Sequence, residues 1–313
     1  MKYRNLGNSG VKVSTVGIGT NRFGSEKTPQ SEVNRIVDHA LELGINHLDT
    51  ANAYQNGNSE IVLGNALKGK WDRFFLATKF YFQTGEGINS RGASRYHIYN
   101  AVDASLKRLQ SDHIDLYYVH RWDAETPIEE TLQTLDYLIQ QGKVRYIGAS
   151  NFAAWQLAKS NLLANVKGWN AFVAIQSHYH MLERDLEKEV IPYCQAENVG
   201  VIPYFPLAGG FLTGKYQNGQ PAPAGSRGES SEYVQKYMTD QNFDVLKKLE
   251  TFAKDHGHEV NELAIAWLLA QPRVSSVISG ATKLDHVTKN AAAAEWELTV
   301  EELNSVNEIL KGK

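Results

Sequence analysis

A single cysteine, Cys194, stands in 313 residues, so no internal disulfide can form and the usage fits a reducing cytosol. A basic excess is missing too. Thirty-two lysines and arginines face 35 aspartates and glutamates, for a net charge of −3, which argues against nucleic acid or an anionic membrane as partner. No run approaches the ~18 apolar residues of a membrane span, and the opening MKYRNLGNSG lacks the apolar core of a secretion signal. With 42% hydrophobic and 21% charged residues, the composition is that of a folded chain rather than a disordered one. These absences point to a soluble, cytoplasmic protein. Nothing in the sequence specifies an oligomeric state.

What is present is an alternation. Apolar, β-branched or aromatic runs fall at 14–19, 46–49, 74–79, 115–120, 144–150, 172–176, 200–207 and 275–280. Their near-continuous apolar character is that of parallel strands covered on both faces. Helical patterns lie between them. Residues 31–43 carry Val33, Ile36, Val37, Ala40 and Leu41 at helical spacing and close on Gly44. Thr126-Pro127-Ile128-Glu129 reads as N-cap, first-turn proline and capping-box glutamate, and Thr299-Val300-Glu301-Glu302 as a second capping box before a final helix. A length of 313 suits two domains of about 150 residues or one barrel of 250 or more. With eight strand–helix units and no linker at the midpoint, the expectation is α/β: a single (β/α)8 TIM barrel over 1–313. A β-hairpin at 3–13, turning at Asn8-Ser9-Gly10, would cap its bottom, and the last helix is extra. The aperiodic stretch 208–240, rich in Gly, Pro, Ser and Asn, reads as a long functional loop.

In barrel enzymes, polar residues at the C-terminal ends of strands carry the chemistry. The run at 46–49 ends in Asp49, with Tyr54 shortly after. The next runs end in Lys79, His120, Ser150 (followed by Asn151) and Gln176. Singly, each has a plain reading as a cap, a packing residue or a core histidine, so the case rests on convergence. A lysine beside an aspartate stays charged, and its field favours the ionised form of a neighbouring tyrosine. This predicts a phenol pKa lowered from roughly 10 toward working pH. A histidine in reach would orient a carbonyl and stabilise the developing alkoxide. The group suits proton transfer to a carbonyl oxygen, and it requires a nicotinamide cofactor to supply the hydride.

Other signals carry less. Gly17-Ile18-Gly19 lacks the third glycine of a dinucleotide fingerprint. Gly209–Lys215 fits GxxxxGK, but Tyr216 replaces the hydroxyl that would ligate magnesium. His178-Tyr179-His180 lacks a third ligand at a matching strand end, so no metal site is expected. His256-Gly257-His258 reads as a polar helix terminus. Phe23, Tyr81 and Trp122 follow strand ends and either line a substrate pocket or cover the barrel rim.

Six ordered motifs then match a known family across essentially the whole chain. They are GINHLDTANAY at 44–54, Thr78-Lys79, IDLYYVH at 114–120, GASNF at 148–152, GVIPYFPLAGGFLTGKY at 200–216, and 277–290 running into AEWEL at 294–298. The chain resembles the aldo-keto reductases, whose fold is a (β/α)8 barrel. The resemblance implies that Tyr54 is the general acid/base, Lys79 its neighbour paired with Asp49, and His120 the carbonyl-orienting residue. It implies NADPH/NADP+ as cofactor. Ser150, Asn151 and Gln176 would hold the nicotinamide carboxamide, Tyr204 would stack on the ring, and the segment with Phe205, Leu207, Gly209 and Lys215 would hold the pyrophosphate. Gly280, Thr282, Lys283, Lys289 and Asn290 would grip the 2′-phosphate and adenine, with Gly19, Thr20, Asn21 and Asp49 also lining the cofactor. Arg227 closes over it or is solvated surface. The chain departs from the common pattern at His286, Lys289 and Phe205. Lys289 adds charge to the phosphate site or leaves adenine less well held.

The expected function is therefore reduction of small-molecule aldehydes or ketones to alcohols with NADPH. Substrate choice would be set by the loops at 80–95, 121–125 and 208–240. Two rivals are a Schiff-base aldolase using Lys79 and a cofactor-sensing subunit similar to channel β-subunits.

Overall fold

The computed structural model describes residues 1–312. A short antiparallel hairpin, β1 (Tyr3–Asn5) and β2 (Lys12–Ser14), opens the chain. Eight parallel strands follow: β3 (Val16–Gly19), β4 (His47–Asp49), β5 (Phe75–Phe80), β6 (Ile114–Val119), β7 (Val144–Ser150), β8 (Ala174–His178), β9 (Gly200–Tyr204) and β10 (Val277–Gly280). They close into a barrel in which β10 pairs with both β9 and β3, with helices between successive strands. The expected (β/α)8 barrel, hairpin and additional final helix (Val300–Lys311) are all present.

The two-residue period of a strand sorts the side chains. Leu76, Tyr117, Val119, Ile147, Ile175, Val201 and Val277 pack outward into the large core shared with the helices. Phe75, Ala77, Leu116, Tyr118, Ala174, Ile202 and Ile278 form a separate cluster in the lumen, closed from below by Leu6 and Val13 of the hairpin. The hairpin fits tightly. Gly7 has φ +57, and a Cβ there would stand 2.1 Å from the Val173 carbonyl oxygen, so only glycine lets the turn press against the barrel bottom. Continuing each strand by steps of two from its lumen residues reaches Lys79, His120, Ser150, Gln176 and Tyr204, and β4 brings Asp49 to the same level. The fold thus directs those polar groups into the upper mouth.

Several boundaries differ from the sequence expectation. The run at 14–19 is split: Ser14 ends the hairpin, where its backbone N–H donates to Asn46 Oδ1 at 2.7 Å, and the barrel strand starts at Val16. The strand expected at 200–207 stops at Tyr204 because Phe205 takes φ +64. The strand expected at 172–176 begins later and runs on to His178. Thr126 is not an N-cap. Pro127 holds that position, at φ −54 and ψ 128, and the Thr126 hydroxyl donates to Asp123 Oδ2 at 2.8 Å. The second capping box is formed as read: Glu302 N–H donates to Thr299 Oγ1 at 3.1 Å, and Thr299 N–H to Glu302 Oε2 at 2.7 Å. The 208–240 stretch contains short helical turns at Ala208–Thr213, Arg227–Ser230 and Glu232–Gln235. Among the described residues no helix is long and apolar enough to cross a membrane.

Candidate active site

At the centre of the mouth lies a buried ion pair. Lys79 is fully buried and Asp49 nearly so, with Lys79 Nζ 2.5 Å from Asp49 Oδ1. The ammonium also donates to the Thr50 carbonyl at 2.8 Å and to Tyr54 Oη at 3.5 Å. Asp49 Oδ2 accepts from Gln176 Nε2 at 2.8 Å, so both carboxylate oxygens are satisfied. Burial alone would favour the neutral amine of Lys79. Asp49, with help from Tyr54, outweighs it and holds the lysine pKa above its ordinary value.

Tyr54 departs from expectation. Its phenol pKa is raised, because burial outweighs the opposing field of Lys79, and Asp49 pushes the same way as burial. The lysine tempers the shift without reversing it, so the hydroxyl stays protonated at neutral pH. Opposite it stands His120, its ring centroid 6.0 Å away and edge-on. Burial first, then the charges of Lys79 and Arg121, hold its pKa well below the ordinary value. The imidazole is therefore neutral, and its Nδ1 is buried without a hydrogen-bond partner. A protonated phenol and a neutral imidazole converge on one point.

From there a cleft of about 1330 Å³ runs across the barrel mouth. Of the positions read as cofactor-binding, all but one line it. Gly19 ends β3 with Thr20 and Asn21 after it, and Asp49 ends β4. Ser150, Asn151 and Gln176 come from β7 and β8. Tyr204 ends β9 and Phe205, Leu207, Gly209, Lys215 and Arg227 follow it, while Gly280 ends β10 and Thr282, Lys289 and Asn290 follow it. Asn151 has φ +57. It donates from Nδ2 to Ser150 Oγ at 2.9 Å and accepts from Tyr204 Oη at 2.9 Å, so three of these residues are locked together. His178 stacks behind Tyr204 with centroids 5.6 Å apart. Gly209 and Gly210 have φ +69 and +102, and a Cβ on Gly210 would lie 2.7 Å from Lys215 Nζ. Arg227 lies over the Phe205 ring at 5.6 Å.

The exception is Lys283. It precedes the helix Leu284–Ala293 in extended backbone (φ −153) and is exposed, facing a shallow depression that shares Lys27 and Thr282 with the cleft. The substrate-pocket positions also move. Phe23 is fully buried in the helix–strand core, and Trp122 packs edge-on against Phe152 and Trp155. Neither lines the cleft, nor does Tyr81, whose φ of 146 interrupts the strand alternation. The next residue, Phe82, lines the cleft instead, 4.8 Å from His120. Sequence reasoning also passed over Arg22, Gln55 and Arg121, which line the cleft as well. Their signal was adjacency to residues already singled out: Gln55 follows Tyr54, and Arg121 follows His120. Among the described residues no group of three metal-ligating side chains is placed to hold an ion.

A closed parallel barrel with converging ionisable groups at the C-terminal ends of its strands belongs to the barrel enzymes. Comparison with known proteins makes the class specific. The model of the Aldo/keto reductase family matches residues 15–311, and the chain belongs to that family. It is an oxidoreductase acting on small-molecule carbonyl compounds. The versiconal hemiacetal acetate reductase of Aspergillus parasiticus is 33% identical over 98% of this chain and 96% of its own. A putative voltage-gated potassium channel subunit beta of Schizosaccharomyces pombe is 36% identical over 98% and 93%. The uncharacterized oxidoreductase YrpG of Bacillus subtilis is 35% identical over 100% and 97%.

Proposed function

We propose that the chain reduces aldehydes or ketones to alcohols with NADPH, with Tyr54 as the general acid. The observation that carries this reading is the Tyr54–Lys79–Asp49 chain facing a neutral His120. Reduction of a carbonyl needs a proton at oxygen as hydride arrives at carbon. A reduced nicotinamide, when bound, supplies the hydride. Tyr54 holds the proton at Oη, and the ammonium 3.5 Å away stabilises the phenolate left when it is given up. Being neutral, His120 can donate a hydrogen bond to the carbonyl oxygen without competing as the acid, and it fixes which lone pair faces Tyr54.

The residues present fit a nicotinamide dinucleotide. The cleft reaches from the ends of β4–β8 to the residues after β10, where Asn290 is buried with an unpartnered Nδ2. Ser150, Asn151 and Gln176 would hold the carboxamide, Tyr204 the ring face, and Gly209, Lys215 and Arg227 the pyrophosphate. Thr282, Lys289 and Asn290 would take the adenosine and its 2′-phosphate. The cations at that end favour NADPH over NADH. Lys283 stands next to Thr282, at a neighbouring depression that shares Thr282 and Lys27 with the cleft.

The aldolase reading loses ground here, because a Schiff base requires a neutral amine and Asp49 keeps Lys79 charged. The potassium-channel relatives give the second reading, a cofactor-sensing subunit, which predicts NADPH binding without steady turnover. NADPH oxidation across a panel of aldehydes, ketones and sugars separates the two. Tyr54→Phe should lower kcat by about 10²- to 10⁴-fold while leaving NADPH affinity nearly intact. Wild-type rates in that variant would remove Tyr54 from the acid role.

A further inference from the structure

Three cations line the cleft outside the acid/base cluster and the residues read as cofactor-binding, Arg22, Lys27 and Arg121, and of these Arg121 is the one that adjoins His120. Arg121 follows His120 directly, is exposed, and lines the cleft with Tyr54, Phe82 and His120. Among the described residues its guanidinium has no ion-pair or hydrogen-bond partner. The acids nearest in sequence are committed elsewhere. Asp123 accepts from the backbone N–H groups of Ala93 and Glu125 and from the Thr126 hydroxyl, and Glu125 pairs with Arg91 at 3.5 Å.

Topology also separates Arg121 from the phosphate end. In the closed barrel β6 lies four strands from β10 in either direction, so Arg121 and Lys289 rise from opposite sides of the mouth. A cofactor whose phosphates lie along the loops after β9 and β10 leaves Arg121 on the substrate side. There the other polar groups are already engaged. Asn151 is bonded to Tyr204 and Ser150, and Asp49 to Lys79 and Gln176. An unpaired guanidinium beside a neutral histidine is an unfilled anion partner, and its planar fork matches a carboxylate or phosphate two hydrogen bonds at a time. Its charge already reaches the site: after burial and Lys79, it contributes to the low pKa of His120.

We propose that Arg121 is a substrate anion subsite, and that the chain prefers carbonyl compounds carrying a carboxylate or phosphate. The carbonyl oxygen would sit at Tyr54 and His120, and the anionic group at Arg121. The proposal rests on the reductase reading and adds a substrate class to it.

The test compares matched carbonyl pairs: 4-oxobutanoate against its methyl ester, and glyceraldehyde 3-phosphate against glyceraldehyde. For the wild type, kcat/KM should favour the anionic member of at least one pair by about tenfold, and the favoured pair identifies the anion. Arg121→Lys should keep part of that preference, Arg121→Gln should bring the ratio to about one, and Arg121→Glu should invert it. A wild-type ratio near one, or a ratio that survives Arg121→Gln, overturns the proposal. Calorimetric binding of 4-hydroxybutanoate and of glycerol 3-phosphate to the NADP+-loaded protein gives a readout independent of turnover. At least one should bind about tenfold more weakly to the Gln variant, and unchanged affinity for both counts against the subsite. If none of the four carbonyls is reduced, the calorimetry decides on Arg121, while the wider panel of aldehydes, ketones and sugars decides on the reductase reading.

Discussion

The two ends of the cleft are built differently. At the chemistry end, Asp49, Lys79 and Gln176 project from strands, are buried, and satisfy one another through hydrogen bonds of 2.5–2.8 Å. At the far end, Lys215, Arg227 and Lys289 come from loops and a helix after β9 and β10. Lys289 reaches only an exposed Asp285 at 3.7 Å, and Arg227 rests on the Phe205 ring. The first end is part of the core and cannot change without disturbing the barrel. The second carries cations with few partners of their own, at little cost to the fold.

The largest effect should follow from breaking the buried pair. Asp49→Asn keeps the shape of the side chain but strands the Lys79 ammonium in the barrel mouth. Losing one partner of a buried ion pair costs about 3–5 kcal/mol. Urea unfolding should show that loss, with Lys79 relieved by giving up its proton and turnover nearly abolished. A variant as stable as the wild type would mean the pair is better solvated than its burial indicates.

The same division explains what the sequence made legible. Asp49, Lys79, His120 and Gln176 stood out because an apolar run ended in each, and the strand period then set them facing inward. Loop residues have no such period. Tyr81 stands out in the sequence and Phe82 does not, because only the backbone at φ 146 decides which ring enters the mouth. Lys283 reads as a phosphate contact from its place at a helix start, but nothing in the sequence tells on which side of Thr282 its long side chain lies. Phe23 follows a strand end as Phe82 does, and tertiary packing drew it into the core. The protonation state of Tyr54 was misread for a related reason: the field of Lys79 could be inferred from residue types, but the depth of burial that outweighs it could not.

The chemistry end should also be the more sensitive to acid. His47, on β4 two residues before Asp49, is fully buried, bonded to Ser276 through Nδ1, and unpartnered at Nε2. Burial, against Asp49 and with Lys79, lowers its pKa to about 4. Between that value and the ordinary 6.5 the unfolded chain binds more protons than the folded one. Stability is therefore fully present above pH 6.5 and declines as the pH falls toward 4, by up to about 3 kcal/mol. Denaturation midpoints at pH 7.5 and 4.5 should show the fall, and His47→Gln should flatten part of it. An unchanged slope in that variant would assign the titration to other groups.

At the far end, Lys215→Ala or Arg227→Ala should leave the unfolding midpoint within about 0.5 kcal/mol of wild type, as expected where only a cation–ring contact and no ion pair or hydrogen bond is lost. NADPH binding, followed by fluorescence titration, should weaken by about 1–2 kcal/mol and become less sensitive to salt. A stability loss comparable to that of Asp49→Asn would erase the distinction between the two ends.

The smallest expected effect falls on the joint between them. Gln55 and Asn56, directly after Tyr54, both lie in the left-handed region, at φ +50 and +55. Such a conformation costs a residue with a Cβ about 1 kcal/mol relative to glycine. In return, Gln55 Nε2 donates to the Asn21 carbonyl at 2.9 Å, tying the tyrosine loop to the loop after β3. An exposed hydrogen bond of this kind contributes about 0.5–1 kcal/mol. Gln55→Gly removes the strain and the tie together, so global stability should shift by less than about 0.5 kcal/mol in either direction. Local behaviour should not be neutral: amide exchange at residues 20–24 should speed up and KM should rise while the unfolding midpoint holds. Faster exchange without a change in KM would show the tie to be structural only. A drop in stability larger than 1 kcal/mol would show that the left-handed backbone is held by more than the side chain that spans it.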